Sequence, residues 1–159
     1  MTKQKKIVLF DIDYTVFNMK LFGDTKLQTY EVYEEVHEVL DQLKEIADLG
    51  IFSQGEVAFQ NRKLIETHIE TYFLQKHVHI VLSKEEEMER VMKKYLGKGK
   101  LFFVDDRLPM LQLAKDRHPE VTTIWIKRGK FAEEQEPIDF AADATVYNLR
   151  AIIPIIKNA

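Results

Sequence analysis

The chain has 159 residues, 45% of them hydrophobic, which suits one domain with a single core and leaves no room for a second, so residues 1–159 are expected to fold as a unit. Lys and Arg number 23 against 26 Asp and Glu, a formal charge of −3, and no global basic field points to nucleic acid or an anionic membrane. The absence of cysteine excludes disulfides, thiolate metal sites and cysteine nucleophiles.

At the amino end, Lys3, Lys5 and Lys6 precede an apolar run too short for a signal peptide or a membrane span, and a cytoplasmic protein is expected. That run, Ile7 to Phe10, reads as a strand buried on both faces, as in the centre of a parallel sheet. It leads into Asp11 and Asp13. Two residues apart on extended backbone, their carboxylates point the same way, past the carboxyl end of the strand, where open α/β sheets hold ligands. Thr15 adds a hydroxyl.

Residues 16–26 read as an irregular flap beside these acids. Val32, Val36, Val39, Leu40, Leu43, Ile46 and Ala47 recur at three- and four-residue steps and predict a helix, with Gly50 as its left-handed cap. Leu49 to Ser53 follows as a second strand ending in a hydroxyl, and Gln54-Gly55 makes the turn. A helix is predicted from Glu56 to about His68 with Phe59, Leu64 and Ile65 inward. His77 and His79 alternate into a third strand, Val78 to Leu82; with no third ligand nearby they read as surface residues rather than a metal pair.

Ser83 and Glu86 have the spacing of a capping box, which places Lys84 in the first turn of a helix at the carboxyl end of the third strand. A cation there opposes the helix dipole, a sign that it serves something anionic. Leu101 to Val104 repeats the apolar pattern of the first strand and ends in Asp105-Asp106. Pro109 suits the first turn of the next helix. Val121 to Ile126 is a fifth strand followed by the basic loop Lys127 to Lys130, and residues 133–139 read as a surface connection. Ala144 to Val146 and Leu149 to Ile156 supply a last strand and helix. Strands alternating with helices predict a right-handed, doubly wound α/β fold with a parallel sheet.

The strand ends thus bring Asp11, Asp13, Thr15, Ser53, Lys84, Asp105 and Asp106 to one crevice. Like charges about 4 Å apart repel by roughly 4 kcal/mol at an effective dielectric near 20, so the carboxylates need a counter-charge. Hard oxygen ligands without thiols favour Mg²⁺. One acid is expected to stay protonated, and Asp13, whose side chain is off the metal, is the choice. A carboxylate in line with phosphorus can act as nucleophile while its neighbour protonates the leaving alkoxide and later activates water.

This set of residues resembles the haloacid dehalogenase superfamily, in its phosphatase branch: Asp11-Ile12-Asp13-Tyr14-Thr15, Ser53, Lys84 and Asp105-Asp106 match the four motifs of that family in order, and the resemblance covers essentially the whole chain. It implies a Rossmann-like core in strand order 5-4-1-2-3 with the first strand central, and a Mg²⁺-dependent phosphatase working through an aspartyl-phosphate. Asp11 is then the nucleophile and Asp13 the general acid and base. Thr15, Ser53, Gln54 and Lys84 lie on the phosphate. Mg²⁺ is held by Asp11, the Asp13 carbonyl, Asp106 directly and Asp105 second. Gln54 departs from the Asn common after the hydroxyl of motif two, and Met110 stands where many members have a further acid. Asp13 argues against the dehalogenase branch, which lacks it. A receiver-type signalling module would order its acids differently; a non-catalytic phosphate-binding or scaffold protein on the same fold is the alternative reading.

The segments between Thr15 and Ser53 and between Ser53 and Lys84 suffice only for core elements, so no large cap domain is expected. Something else must then define the phosphorylated substrate: a large leaving group, or a second subunit of a homo-oligomer. For the oligomer the candidate is the flap, with Phe17, Met19, Leu21, Phe22 and Leu27, and Arg62, Arg107 or Arg128 would reach the substrate. No nucleic-acid or membrane partner is expected.

Overall fold

The computed structural model describes residues 3–159. Six parallel strands form one sheet in the order β3-β2-β1-β4-β5-β6, with β1 Lys6–Phe10, β2 Asp48–Gln54, β3 Val78–Val81, β4 Lys100–Asp105, β5 Thr122–Ile126 and β6 Ala144–Val146. This is the expected 5-4-1-2-3 order, extended beyond β5 by the short last strand. Among the described residues no separate cap domain is inserted.

The wholly apolar strands are explained by burial on both faces. Val8 and Phe10 of β1, with Phe102 and Val104 of β4, face one cluster that also takes Val36, Val39, Leu40 and Leu43 of α2 (Val36–Leu43) and Ile152 and Ile156 of α7 (Ile152–Lys157). Ile7, Leu9, Leu101 and Phe103 face the opposite cluster, with Met88, Val91 and Met92 of α4 (Lys84–Lys94) and Leu111 and Ala114 of α5 (Leu108–Arg117). Each such side chain contributes about 1.5–3 kcal/mol by leaving water. The register sets Phe10 beside both Ile51 and Val104, which brings the carboxyl ends of β2, β1 and β4 level.

Several local expectations are corrected. The flap is not irregular: Met19–Asp24 forms helix α1, whose amino end is capped by Asn18 Oδ1 accepting from Leu21 N at 3.1 Å. Phe17 and Phe22 turn into the protein's own core, where each meets Tyr30 edge-on, and of the five flap residues Leu27 is the large apolar side chain left exposed. Phe17 and Phe22 are thus taken up by the chain's own core. Helix α2 stops at Leu43, and Gly50 lies within β2 rather than capping a helix. A Cβ there would overlap the His77 carbonyl and the Leu9 side chain, so close approach is what requires glycine.

Helix α3 (Val57–Glu66) buries Gln60, Lys63 and Leu64, while Phe59 and Ile65 are exposed. His77 and His79 are buried, not on the surface; both hydrogen-bond the Tyr95 hydroxyl. No helix among the described residues is long and apolar enough to cross a membrane.

Candidate active site

The loop after β1 is tied down by its own backbone. Asp11 N donates to Val104 O at 3.0 Å, Val16 and Phe17 N both donate to Ile12 O, and Tyr14 N donates to Phe17 O. Closing this turn puts Tyr14 at φ 64°, which costs a non-glycine residue on the order of 1 kcal/mol or more. Contacts from the β5 side hold it there. Gly129 lies so close that a Cβ would overlap the Tyr14 ring, and Phe131 of α6 (Lys130–Glu133) packs on that ring edge-on at 5.8 Å.

Asp11, Asp105 and Asp106 come together with carboxylate oxygens within 4.8 Å of one another, all three residues buried. Lys84 enters from the first turn of α4, where Ser83 Oγ accepts from Glu86 N, the forward half of the expected capping box. Its Nζ donates to Asp11 Oδ1 at 2.9 Å and Asp105 Oδ2 at 2.8 Å. Burial alone would lower the Lys84 pKa; Asp105 and Asp11 outweigh it and hold the ammonium charged. Lys93 and Lys94 lie exposed on the same helix.

The two acids after β4 differ. Asp105 is fully engaged, with Oδ2 on Lys84 and Oδ1 accepting from Arg107 N at 2.8 Å. Asp106 fixes its backbone through Trp125 Nε1, which donates to its carbonyl at 2.8 Å, but its Oδ2 is buried with no partner. Burial, with the neighbouring charges of Asp11 and Asp105, pushes the Asp106 carboxyl well above the usual range. Burial also raises Asp105, opposed by Lys84. An orphaned buried carboxylate oxygen beside two other acids is the signature of a site that fits a hard cation.

Asp13 lines the same crevice, and Lys63 Nζ donates to its Oδ1 at 2.7 Å. Lys63 is 2% exposed, its ammonium 4.6 Å from the Phe59 ring centre and 5.3 Å from that of Phe17. Burial raises the Asp13 pKa, and Lys63 works against that rise. Gln60, one helical turn before Lys63, donates through Nε2 to Ser53 Oγ at 2.9 Å. A hydroxyl that accepts in this way keeps its own hydrogen free to donate. Gln54 Oε1 accepts from Lys84 N at 2.9 Å and so positions the start of α4.

The crevice is a cavity of about 190 Å³ lined by Asp11, Asp13, Gln54, Lys84, Asp106, Arg107, Met110 and Phe131. The other expected residues are placed differently. Thr15 is wholly buried behind Asp11, donating to its Oδ2 at 3.2 Å, and Ser53 lies at the back with 1% exposure. Of the three arginines only Arg107 lines the crevice, stacked over the Phe131 ring at 4.7 Å. Arg62 sits over the Tyr30 ring and beside Glu66. Arg128 does not reach the substrate side: both Glu35 oxygens accept from its Nη1 at 2.9 Å, and Thr15 O accepts from its Nη2 at 2.6 Å. It is a half-buried clamp on the Asp11 loop.

Lys63 and Gln60 were missed from sequence, although a signal was there. Gln60, Lys63, Leu64 and Thr67 follow i, i+3, i+4, i+7 spacing and share the buried face of α3. Because that face is half polar, the apolar pattern alone points Phe59 and Ile65 inward, whereas both are exposed.

No protein-family model and no curated protein sequence matches the chain. Solved structures do. A protein described as a haloacid dehalogenase-like hydrolase from Burkholderia xenovorans superposes with a TM-score of 0.75 at 19% identity, over 98% of this chain and 96% of that one. The HAD hydrolase YfnB from Bacillus subtilis, solved bound to magnesium, gives 0.75 at 12% identity, over 97% and 99%. A protein described as a phosphatase from Clostridium difficile gives 0.67 at 19%, over 98% and 100%. An L-2-haloacid dehalogenase is also among the matches. The chain has the fold of the haloacid dehalogenase-like hydrolases.

Proposed function

We propose that the protein is a Mg²⁺-dependent phosphatase that hydrolyses a phosphomonoester through a phosphoryl group carried on Asp11. The observation that carries this reading is Asp13, a second acid on the crevice with its pKa raised by burial. Displacing a halide needs no proton, so the proton-donating half of such an acid's work has no counterpart in dehalogenation. An alkoxide leaving group does need one.

A carboxylate oxygen of Asp11 attacks phosphorus as the bond from phosphorus to the leaving oxygen breaks, and the proton of Asp13 goes to that oxygen. Asp13, now ionised, takes a proton from a water that attacks phosphorus. The bond to Asp11 breaks, phosphate leaves, and both acids return to their starting states. Lys84 and the free hydrogen of Ser53 stabilise the phosphoryl oxygens, while Thr15 orients Asp11. The donor set fits Mg²⁺: Asp11, Asp106 and the Asp13 carbonyl would hold it, with Asp105 behind, orienting Lys84. Bound there, the ion would neutralise charge on the transferring group.

A cavity of about 190 Å³ suits a phosphoryl group and little more. The leaving group would therefore rest at the mouth, against Phe131 and Arg107. Phosphate release from a panel of phosphomonoesters, with Mg²⁺ and with chelator, tests the reading, alongside halide release from a 2-haloacid. Mg²⁺-dependent phosphate release is expected; halide release without phosphatase activity would overturn it.

A further inference from the structure

We infer that Lys63 is the positioning residue for the proton donor: by occupying Asp13 Oδ1 it leaves Oδ2 as the oxygen that passes a hydrogen to the leaving group. This rests on the phosphatase reading above and deepens it. Lys63 Nζ lies 2.7 Å from Asp13 Oδ1, and no other carboxylate among the described residues is within ion-pair range of it. The lysine comes from the buried face of α3 and does not line the crevice, whereas Asp13 lines it with its side chain 30% exposed.

The ammonium is held on several sides. Nζ lies 4.6 Å from the ring centre of Phe59, 5.3 Å from that of Phe17 and 5.9 Å from that of Phe22, and Met19 Sδ is 3.7 Å away. The segment after Asp13 thus supplies three of these four neighbours, and the ring faces attract the cation. Stability alone does not call for a charge there. A methionine would fill such a cage without losing the hydration of an ion, and buried ion pairs are often matched by apolar residues of similar volume. What the ammonium adds is direction.

An ammonium has hydrogens to give and no lone pair with which to accept. A carboxyl hydrogen on Oδ1 would meet it head-on, so protonated Asp13 carries its hydrogen on Oδ2. As the bond from phosphorus to the leaving oxygen breaks, that hydrogen goes to the oxygen, and the carboxylate left behind is already paired with a cation. Lys63 keeps its own hydrogens throughout.

The test compares two leaving groups through kcat/KM, which reports the steps up to their release. Lys63→Met should lower it about tenfold or more for the alkyl phosphomonoester that the wild type hydrolyses best, and less than about threefold for p-nitrophenyl phosphate, whose phenolate leaves with little need of a proton. An equal loss on both esters, as from a merely structural role, would overturn the inference and leave the phosphatase reading in place. Wild type active on p-nitrophenyl phosphate alone would also overturn it, whereas wild type inactive on every ester would remove the phosphatase reading and the proton step with it. Should Lys63→Met not fold, NMR of the Lys63 ammonium in the full chain reads the pair without turnover. A slowly exchanging signal that moves in Asp13→Asn is expected; a fast-exchanging or unmoved signal would overturn the inference.

Discussion

Lys63 Nζ meets Asp13 Oδ1 at 2.7 Å, and this pair joins the helix after β2 to the loop after β1. The lysine is buried among aromatic rings, with Asp13 as its only carboxylate partner within ion-pair range among the described residues. It fixes which way the Asp13 carboxyl faces. Lys63→Met keeps the aliphatic volume and removes the charge, and should lower kcat by about ten- to a hundredfold with a smaller effect on KM. Because Lys63 depresses the Asp13 pKa, its loss raises that pKa and should move the alkaline fall-off of kcat/KM to higher pH. An unchanged profile would remove Lys63 from the site.

Asp11→Asn should abolish turnover, by about a thousandfold or more, while the chain stays folded, because an amide is a poor nucleophile and relaxes the crowding of acids. Circular dichroism and a phosphate-release assay check both halves. Retention of a tenth of the wild-type rate would show that Asp11 does not attack.

Asp105 and Asp106 have carboxyl groups raised in the folded protein above their unfolded values. Raised groups contribute stability that is fully present below the unfolded carboxylate range, near pH 4, and lost as pH rises through the folded values. The metal-free protein should therefore melt at a lower temperature at pH 8 than at pH 5.5. Mg²⁺ should reverse that difference. Asp106→Asn should raise the metal-free melting temperature at pH 8 and remove most of the Mg²⁺ effect, readable by differential scanning calorimetry.

Arg128 binds a buried Glu35 and the Thr15 carbonyl. Arg128→Ala strands that carboxylate and should cost about 3–5 kcal/mol of stability, measured by urea denaturation. Arg107→Ala, at the crevice mouth, should leave stability within about 0.5 kcal/mol and raise KM instead. The opposite pattern would return Arg128 to the substrate side.

What was legible in the sequence follows from what the chain does locally. Ile7 to Phe10 and Leu101 to Val104 are buried on both faces, so their composition alone reveals central parallel strands, and the acids that follow mark the crevice. Lys84 was readable because Ser83 announces the helix start. Contacts between distant segments left no such mark. Lys63 faces Asp13 because the buried face of α3 is partly polar, and Phe131 reaches the crevice because Gly129 allows the close packing of Tyr14. Gly50 resembled a helix cap until the His77 carbonyl came against it. The histidines looked exposed because nothing near them in sequence announces Tyr95.

The central claim is that Asp11 carries the phosphoryl group. Reacting the enzyme with a phosphomonoester and Mg²⁺, quenching in acid within the first turnover and mapping peptide masses tests it directly. The account predicts one phosphoryl group on the peptide containing Asp11, absent in Asp11→Asn. Phosphate release with no phosphoryl adduct, or with the adduct on another residue, would contradict it.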